Sequence, residues 1–187
     1  MKNEKLWSLK IPIKKSTKDK EMEKFFEICK KKLGLIPNII KTNSIDKKKF
    51  DAFNIFYNRL MQDDNYLTKT EKEMIAVVVS STNRCLYCCV SHGYTLGKLM
   101  NSIAKAKNIL INYEVAQISR KHKLMLDFAV KLTQASHKIN EDDRNKLRRI
   151  KLSEIQILEI IEVTAFFNMK NRIASGTYML PDLEYYN

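Results

Sequence analysis

The sequence predicts an all-α fold. Two observations carry that reading. Only 4 Gly and 3 Pro in 187 residues leave few hard turns. Long runs place apolar residues at helical spacing, and two of them open on capping boxes, Thr68-Lys69-Thr70-Glu71 and Ser153-Glu154-Ile155-Gln156. Hydrophobic residues make up 44 %, enough for one real core, so a single domain over residues 1–187 is expected.

The elements follow in order. Residues 1–17 read as an extended arm, with Pro12 among alternating Leu6, Leu9, Ile11 and Ile13. Helix signals begin near Asp19 and run through Phe25, Phe26, Ile28 and Cys29 to Leu33, with Gly34 as C-cap. Leu35-Ile36-Pro37-Asn38 is a turn into a short helical piece. Ser44 is placed to cap the next helix, from about Asp46 to Met61, with Phe50, Phe53, Ile55, Phe56 and Leu60 as its apolar face. Gln62 to Asn65 is a loop.

The helix opened by Thr68 is apolar nearly all round from Met74 to Val79, so it is expected at the centre. Val77-Val78-Val79 suits a strand by propensity, but the capping box and the lack of a partner strand decide for helix. Ser81-Thr82-Asn83 breaks it, and Cys85 begins the next helix, to about Met100. Helices over 102–111 and 119–136 follow, then a short one after Asn140. The last runs from Ser153 to about Ser175, with Gly176 as C-cap. Leu67-Thr68 and Leu152-Ser153 open alike, which suggests a duplicated helical hairpin whose first copy alone carries cysteines.

Formal net charge is +13, but the lysines are spread among Asp and Glu rather than gathered with aromatics. That pattern reads as a solvated surface, not a nucleic-acid interface. No stretch approaches the ~20 apolar residues of a membrane span. The opening MKNEKLWSLKIPIKK lacks a signal-peptide core, so a cytoplasmic location is expected. Four cysteines in a cytosolic chain do not suggest a disulfide scaffold. A C-x-x-C pair there points to catalysis or metal.

Reactive groups are densest between Glu73 and His92. Cys85 and Cys88 form the C-x-x-C pair, and at i, i+3 near a helix start their sulfurs face one side. His92 is four residues beyond Cys88. Positive charge at the helix start lowers thiol pKa, and Arg84 adds to it. The dipole favours Cys85 as attacker; the His92 base favours Cys88, and it carries more weight because it acts on one sulfur. Glu73, on the preceding helix, is the acidic partner for His92 or Cys88. Its blander explanation is a first-turn glutamate on the helix dipole, and spacing leaves both open. Glu71 is accounted for by its capping box.

Cys89, at i+4 from Cys85, could compete for a disulfide but reads as a packing thiol. Cys29 reads as core. A closed zinc site needs a second ligand pair, and His122 and His137 stand alone, so no metal is expected. Tyr87 and Tyr94 are placed to line the site or pack beside it.

The motif Glu73-x11-Cys85-x2-Cys88-x3-His92 resembles the AhpD-like alkylhydroperoxidases of the carboxymuconolactone decarboxylase superfamily, in particular the subgroup of uncharacterised peroxidase-related proteins. Gly34-Leu35-Ile36-Pro37-Asn38 is similar to that subgroup's G-x-x-P-N turn. Leu126 to Ala129, Lys131 to Thr133 and Phe166 to Arg172 resemble its C-terminal blocks. Arg84 stands where glycine commonly precedes the first cysteine, and Cys89 is an added thiol. The decarboxylase branch lacks the cysteine pair.

The resemblance implies an all-helical fold, assembly into a homo-oligomer (dimer, trimer or hexamer) and peroxidase chemistry without a cofactor. Cys88 would be the peroxidatic thiol and Cys85 the resolving one. Glu73 and His92 would relay protons, and a lipoyl protein or thioredoxin-like dithiol would restore the pair. Three functions compete: a thiol peroxidase, a dithiol–disulfide oxidoreductase or redox sensor with little peroxidase activity, and a basic helical binding module. The first is preferred.

Overall fold

The computed structural model describes residues 9, 20–64 and 66–186, so the expected arm lies outside them apart from an exposed Leu9. Every regular element among the described residues is helical. α1 (Lys20–Leu33) carries Glu21 and Glu23 in its first turn and Lys30, Lys31 and Lys32 in its last, matching the helix dipole. It closes on Gly34, φ +78°, whose N–H donates to the Lys30 carbonyl at 2.9 Å.

α2 (Asn38–Asn43) is followed by α3 (Lys47–Tyr57), which Asp46 caps instead of Ser44. Asp46 has the extended backbone a cap needs and accepts from the Lys49 N–H. Ser44 is helical, and its hydroxyl donates back to the Lys41 carbonyl at 2.8 Å. The apolar stripe also departs from expectation. Phe50 and Leu60 are buried, but Ile55 and Phe56 are exposed. The α-helix ends at Tyr57 and widens into a π turn, Asn58–Gln62, in which Leu60 and Met61 are buried.

The second half is built round α4 (Lys69–Thr82), which packs against α5 (Leu86–Leu99), α6 (Ile103–Asn112), α7 (Arg120–Gln134) and α9 (Glu154–Gly176). α8 (Glu141–Arg149) lies against α7 and α9. Both sequence-predicted capping boxes form, and Asn140 with Asp143 makes another at the start of α8. Met74 to Val79 are all buried, so the valine run is helical and central as expected. α4 and α9 open alike but then part: α4 reverses after Thr82 into α5, whereas α9 runs unbroken to Gly176.

Three successive charged residues on this buried helix each find a partner on a different element. Glu71 accepts from Lys121 of α7 at 2.7 Å. Lys72, fully buried, pairs with Glu159 of α9 at 2.8 Å and donates to the Asp63 carbonyl at 2.6 Å. Glu73 pairs with His92 of α5. Consecutive residues point about 100° apart round a helix, so one tripeptide reaches three neighbours.

Chain reversals here use little glycine. After α4 the Arg84 N–H donates to the Ser81 carbonyl and the Cys85 N–H to the Ser80 carbonyl, both at 2.9 Å, a Schellman motif. Arg84 takes the left-handed position, φ +53°. At the end of α9 Gly176 stays helical, and Tyr178, φ +54°, holds the left-handed position predicted for that glycine. No helix among the described residues is long and apolar enough to cross a membrane.

Candidate active site

The reversal at Arg84 delivers Cys85 as the N-cap of α5, outside the helix, with Cys88 in its first turn. Both are almost wholly buried, at 1 % and 4 % exposure. The two thiols are free of any disulfide, and each bears on the other's protonation. The Cys88 side chain lowers Cys85 to about 6 against the opposing effect of burial. The Cys88 N–H, the Ser175 hydroxyl and the charge of His92 add to this. Cys85 makes no regular side-chain cap, so that N–H acts mainly as a dipole. Cys85, then burial, pushes Cys88 strongly upward, while Asn171 draws it back down. The two thiols therefore titrate as a unit, with negative charge favoured at Cys85 over Cys88.

His92 Nδ1 lies 2.7 Å from Glu73 Oε2, and Glu73 is only 4 % exposed. That bond fixes the imidazole through Nδ1 and leaves Nε2 as its other proton-exchanging nitrogen. The sequence paired His92 with Cys88; a charge on His92 also favours the thiolate at Cys85.

A wall of the site that the sequence did not reveal is α9. Phe167, Asn171 and Ser175 fall at successive i+4 positions, on one face. Phe167 meets the His92 ring edge-on at 4.6 Å, Asn171 draws the Cys88 thiol down, and Ser175 shares a cleft with Cys85 and lowers it. The stripe runs opposite to the 85, 88, 92 order along α5. Asn171 is itself fixed, donating to Ser80 Oγ and accepting from Asn83 Nδ2, both at 2.9 Å. The available signal was the periodicity of the Phe166 to Arg172 block, which does not say what lies opposite.

The segments flanking the bundle pin the cysteine loop. Tyr87, between the thiols, is buried, and its hydroxyl donates to Asp182 at 3.3 Å and accepts from the Ile39 N–H at 3.2 Å. Asp182 also accepts from the Asn38 N–H, at 3.1 Å to each oxygen. Burial raises the Asp182 carboxyl, and these donors oppose that. Tyr94 packs on Tyr185 instead, ring centres 5.4 Å apart. A cleft of about 230 Å³ reaches Cys85 between Leu86, Ser175, Tyr178, Met179 and Leu180.

Cys89 is half-buried, and burial with the nearby Cys85 pushes it up to about 12. Cys29 is buried on α1. His122 lies 3.6 Å from Glu71, and His137 sits in a single 3₁₀ turn. No three His, Cys, Asp or Glu side chains among the described residues gather as a metal site. The arrangement offers a coupled dithiol with a histidine–carboxylate dyad alongside.

The carboxymuconolactone decarboxylase family model matches residues 49–110. An uncharacterised peroxidase-related protein from Silicibacter sp. TM1040 is 42 % identical over 100 % of this chain and 97 % of its own, with a TM-score of 0.95. The alkylhydroperoxidase AhpD core of a peroxidase-related protein from Ralstonia eutropha JMP134 is 35 % identical over 90 % of this chain and 88 % of its own, TM-score 0.85. The debrominase Bmp8 shares the fold at 18 % identity, TM-score 0.78, over 98 % of this chain and 95 % of its own. No curated protein matches the chain.

Proposed function

From the premise that this chain belongs to the carboxymuconolactone decarboxylase family, in its AhpD-like, peroxidase-related branch, we propose that it is a thiol-dependent alkylhydroperoxidase. The observation that carries the reading is the pair of free, buried thiols, Cys85 and Cys88, at one helix start, together with the 2.7 Å Glu73–His92 dyad. Peroxide chemistry needs a thiolate, a second thiol within reach, and a group that gives protons to leaving oxygens.

The Cys88 proton passes to Cys85. The Cys88 thiolate attacks the terminal peroxide oxygen: an S–O bond forms, the O–O bond breaks, and the alkoxide leaves. His92, held by Glu73, protonates it to the alcohol and is recharged from solvent. Cys88 is now a sulfenic acid. The Cys85 sulfur attacks it, an S–S bond forms, and hydroxide leaves with the Cys85 proton as water. An external dithiol, a lipoyl or thioredoxin-like protein, then attacks the Cys85 sulfur through the cleft and is itself oxidised to a disulfide as both thiols are restored. The reading includes a cytoplasmic, homo-oligomeric enzyme acting in antioxidant defence.

The test is hydroperoxide consumption with dihydrolipoamide or reduced thioredoxin as donor. Turnover is expected in the wild type and lost in Cys88→Ser; unchanged turnover in that variant would overturn the assignment. A second reading rests on the charge favoured at Cys85 and the cleft that reaches it. These suit a dithiol–disulfide oxidoreductase, for which peroxide would oxidise the pair no faster than free cysteine.

A further inference from the structure

The chain leaves α4 and α9 by the same turn, and the two turns meet at one cleft. The Tyr178 N–H donates to the Ser175 carbonyl at 3.0 Å and the Met179 N–H to the Ala174 carbonyl at 2.9 Å, the pattern that Arg84 and Cys85 make after α4. Arg84 and Tyr178 hold matching left-handed conformations, φ +53° and +54°. Beyond each turn the chain alternates. Arg84 and Leu86 are exposed with Cys85 buried between them, and Tyr178 and Leu180 are exposed with Met179 buried between them. All six residues line the cleft of about 230 Å³. Cys85 and Met179 form its floor, and the four exposed residues form its rim.

The rim says what the cleft accepts. A molecule that enters meets Cys85, because Cys88 does not line the cleft. Cys85 is the sulfur that the reductant attacks in the steps above. The volume lies below the ~300–1,000 Å³ of pockets for drug-sized ligands, so a slender chain fits and a bulky head does not. Leu86, Tyr178 and Leu180 offer an apolar wall to an aliphatic body. Arg84 is the only Arg, Lys, Asp or Glu on the lining. Its guanidinium forms no ion pair or hydrogen bond with a described residue. Glycine would take the left-handed position at less cost, and non-glycine residues held there gather at active sites and ligand clamps.

We propose that this cleft is the reductant's site and takes an anionic aliphatic dithiol, with Arg84 reading its carboxylate. The guanidinium presents a fixed fork of N–H donors that matches a carboxylate, the chain lies along the apolar rim, and the thiol end reaches Cys85. One reductant thiolate attacks the Cys85 sulfur of the oxidised pair. A mixed S–S bond forms, the Cys85–Cys88 bond breaks, and Cys88 leaves as a thiolate that takes up a proton. The second reductant thiol gives up its proton and displaces Cys85, closing the reductant's own disulfide. Two electrons and two protons pass to the protein. The inference rests on the peroxidase reading for the need of a reductant, but reduction can be followed with no peroxide present.

The experiment compares two probes, dihydrolipoate and dihydrolipoamide, alike except for a carboxylate against an amide. Protein oxidised with diamide is reduced by each at pH 7, and loss of the Cys85–Cys88 disulfide is read by N-ethylmaleimide trapping and peptide mass mapping. The wild type is expected to react at least fivefold faster with the carboxylate. In Arg84→Gln the ratio should fall to within twofold of unity. Arg84→Gly should do the same in a backbone that glycine suits. Arg120→Gln, an equal change in charge on α7 and outside the cleft, should keep the wild-type ratio, which separates a local contact from the pull of a +13 chain. A wild-type ratio near unity, a ratio that survives both Arg84 variants or falls equally in Arg120→Gln, or a disulfide that neither probe reduces would overturn the proposal. A preference lost with Arg84 in a protein that leaves cumene hydroperoxide untouched would keep the cleft assignment and reject the peroxidase reading. Hydroperoxide turnover beside a ratio near unity would do the reverse.

Discussion

Substituting Glu73→Gln tests the proton relay at its most buried member. The amide keeps the volume, and its oxygen can still accept from His92 Nδ1, so the 2.7 Å contact survives while the charge goes. A hydrogen bond to a charged group is worth ~1.5–3 kcal/mol, against about 1 for a neutral one. The difference is felt in the step that charges His92, whose cationic form must be in place before it can deliver a proton to the leaving oxygen. A loss of ~1–2 kcal/mol in that step slows it about 5- to 30-fold, at ~1.4 kcal/mol per factor of ten. The assay is single-turnover peroxide loss after mixing pre-reduced protein with excess hydroperoxide, followed by quenched flow. Thermal stability should change little, because the acceptor remains. His92→Asn provides the second edge of a double-mutant cycle, and the two losses should not add. Wild-type rates in Glu73→Gln beside a slowed His92→Asn would refute the dyad and leave Glu73 as a structural anion.

Lys72→Met leaves Glu159 buried without its cation and should cost ~3–5 kcal/mol in urea unfolding. Adding Glu159→Leu should recover only part, because Glu159 also accepts the Leu67 N–H at 2.6 Å. Arg84→Gly relieves the left-handed strain at φ +53° and should stabilise by about 0.5–1 kcal/mol, seen as a raised Tm. The reduced thiol pair should give stability a maximum in pH. Cys85 titrates at about 6 when folded, so from there to the unfolded thiol value of ~8.5 the unfolded chain holds more protons and stability rises. Above that the raised Cys88 keeps its proton longer than the unfolded chain does, and stability falls. The difference between reduced wild type and Cys88→Ala in thermal melts should show this peak; a flat difference would disprove coupled titration.

What the sequence revealed of the fold is what is encoded locally. Thr68 with Glu71 and Ser153 with Gln156 are read within four residues, and both boxes form. What it hid is backbone conformation that residue type argues against. Arg84, Asn101, Lys151 and Tyr178 all take positive φ, where glycine is expected. Scarce glycine therefore predicted helices correctly but did not mean few tight reversals. Ser44 against Asp46 was a choice between two good caps that only the path of α2 decides. Ile55 and Phe56 are exposed because they stand about 140° and about 120° round the helix from Phe50, off the face it buries, so a strict 3.6-residue count would have left them out.

The site divides along the same line. Cys85, Cys88 and His92 share one helix start, and Glu73 is reached across one tight turn, so spacing could gather all four. Phe167, Asn171 and Ser175 lie more than seventy residues on, and only packing sets them opposite the cysteine segment and His92. That packing depends on α4. Lys72 holds Glu159 near the start of α9, while the next residue, Glu73, holds His92 on α5. A rotation of α4 that moved Glu73 off the imidazole would also pull Lys72 away from Glu159 and leave charges buried unpaired. Structural and chemical roles are thus joined through adjacent residues of one buried turn. The carboxylate that steadies the imidazole is held in register by the ion pair that anchors the wall facing both thiols.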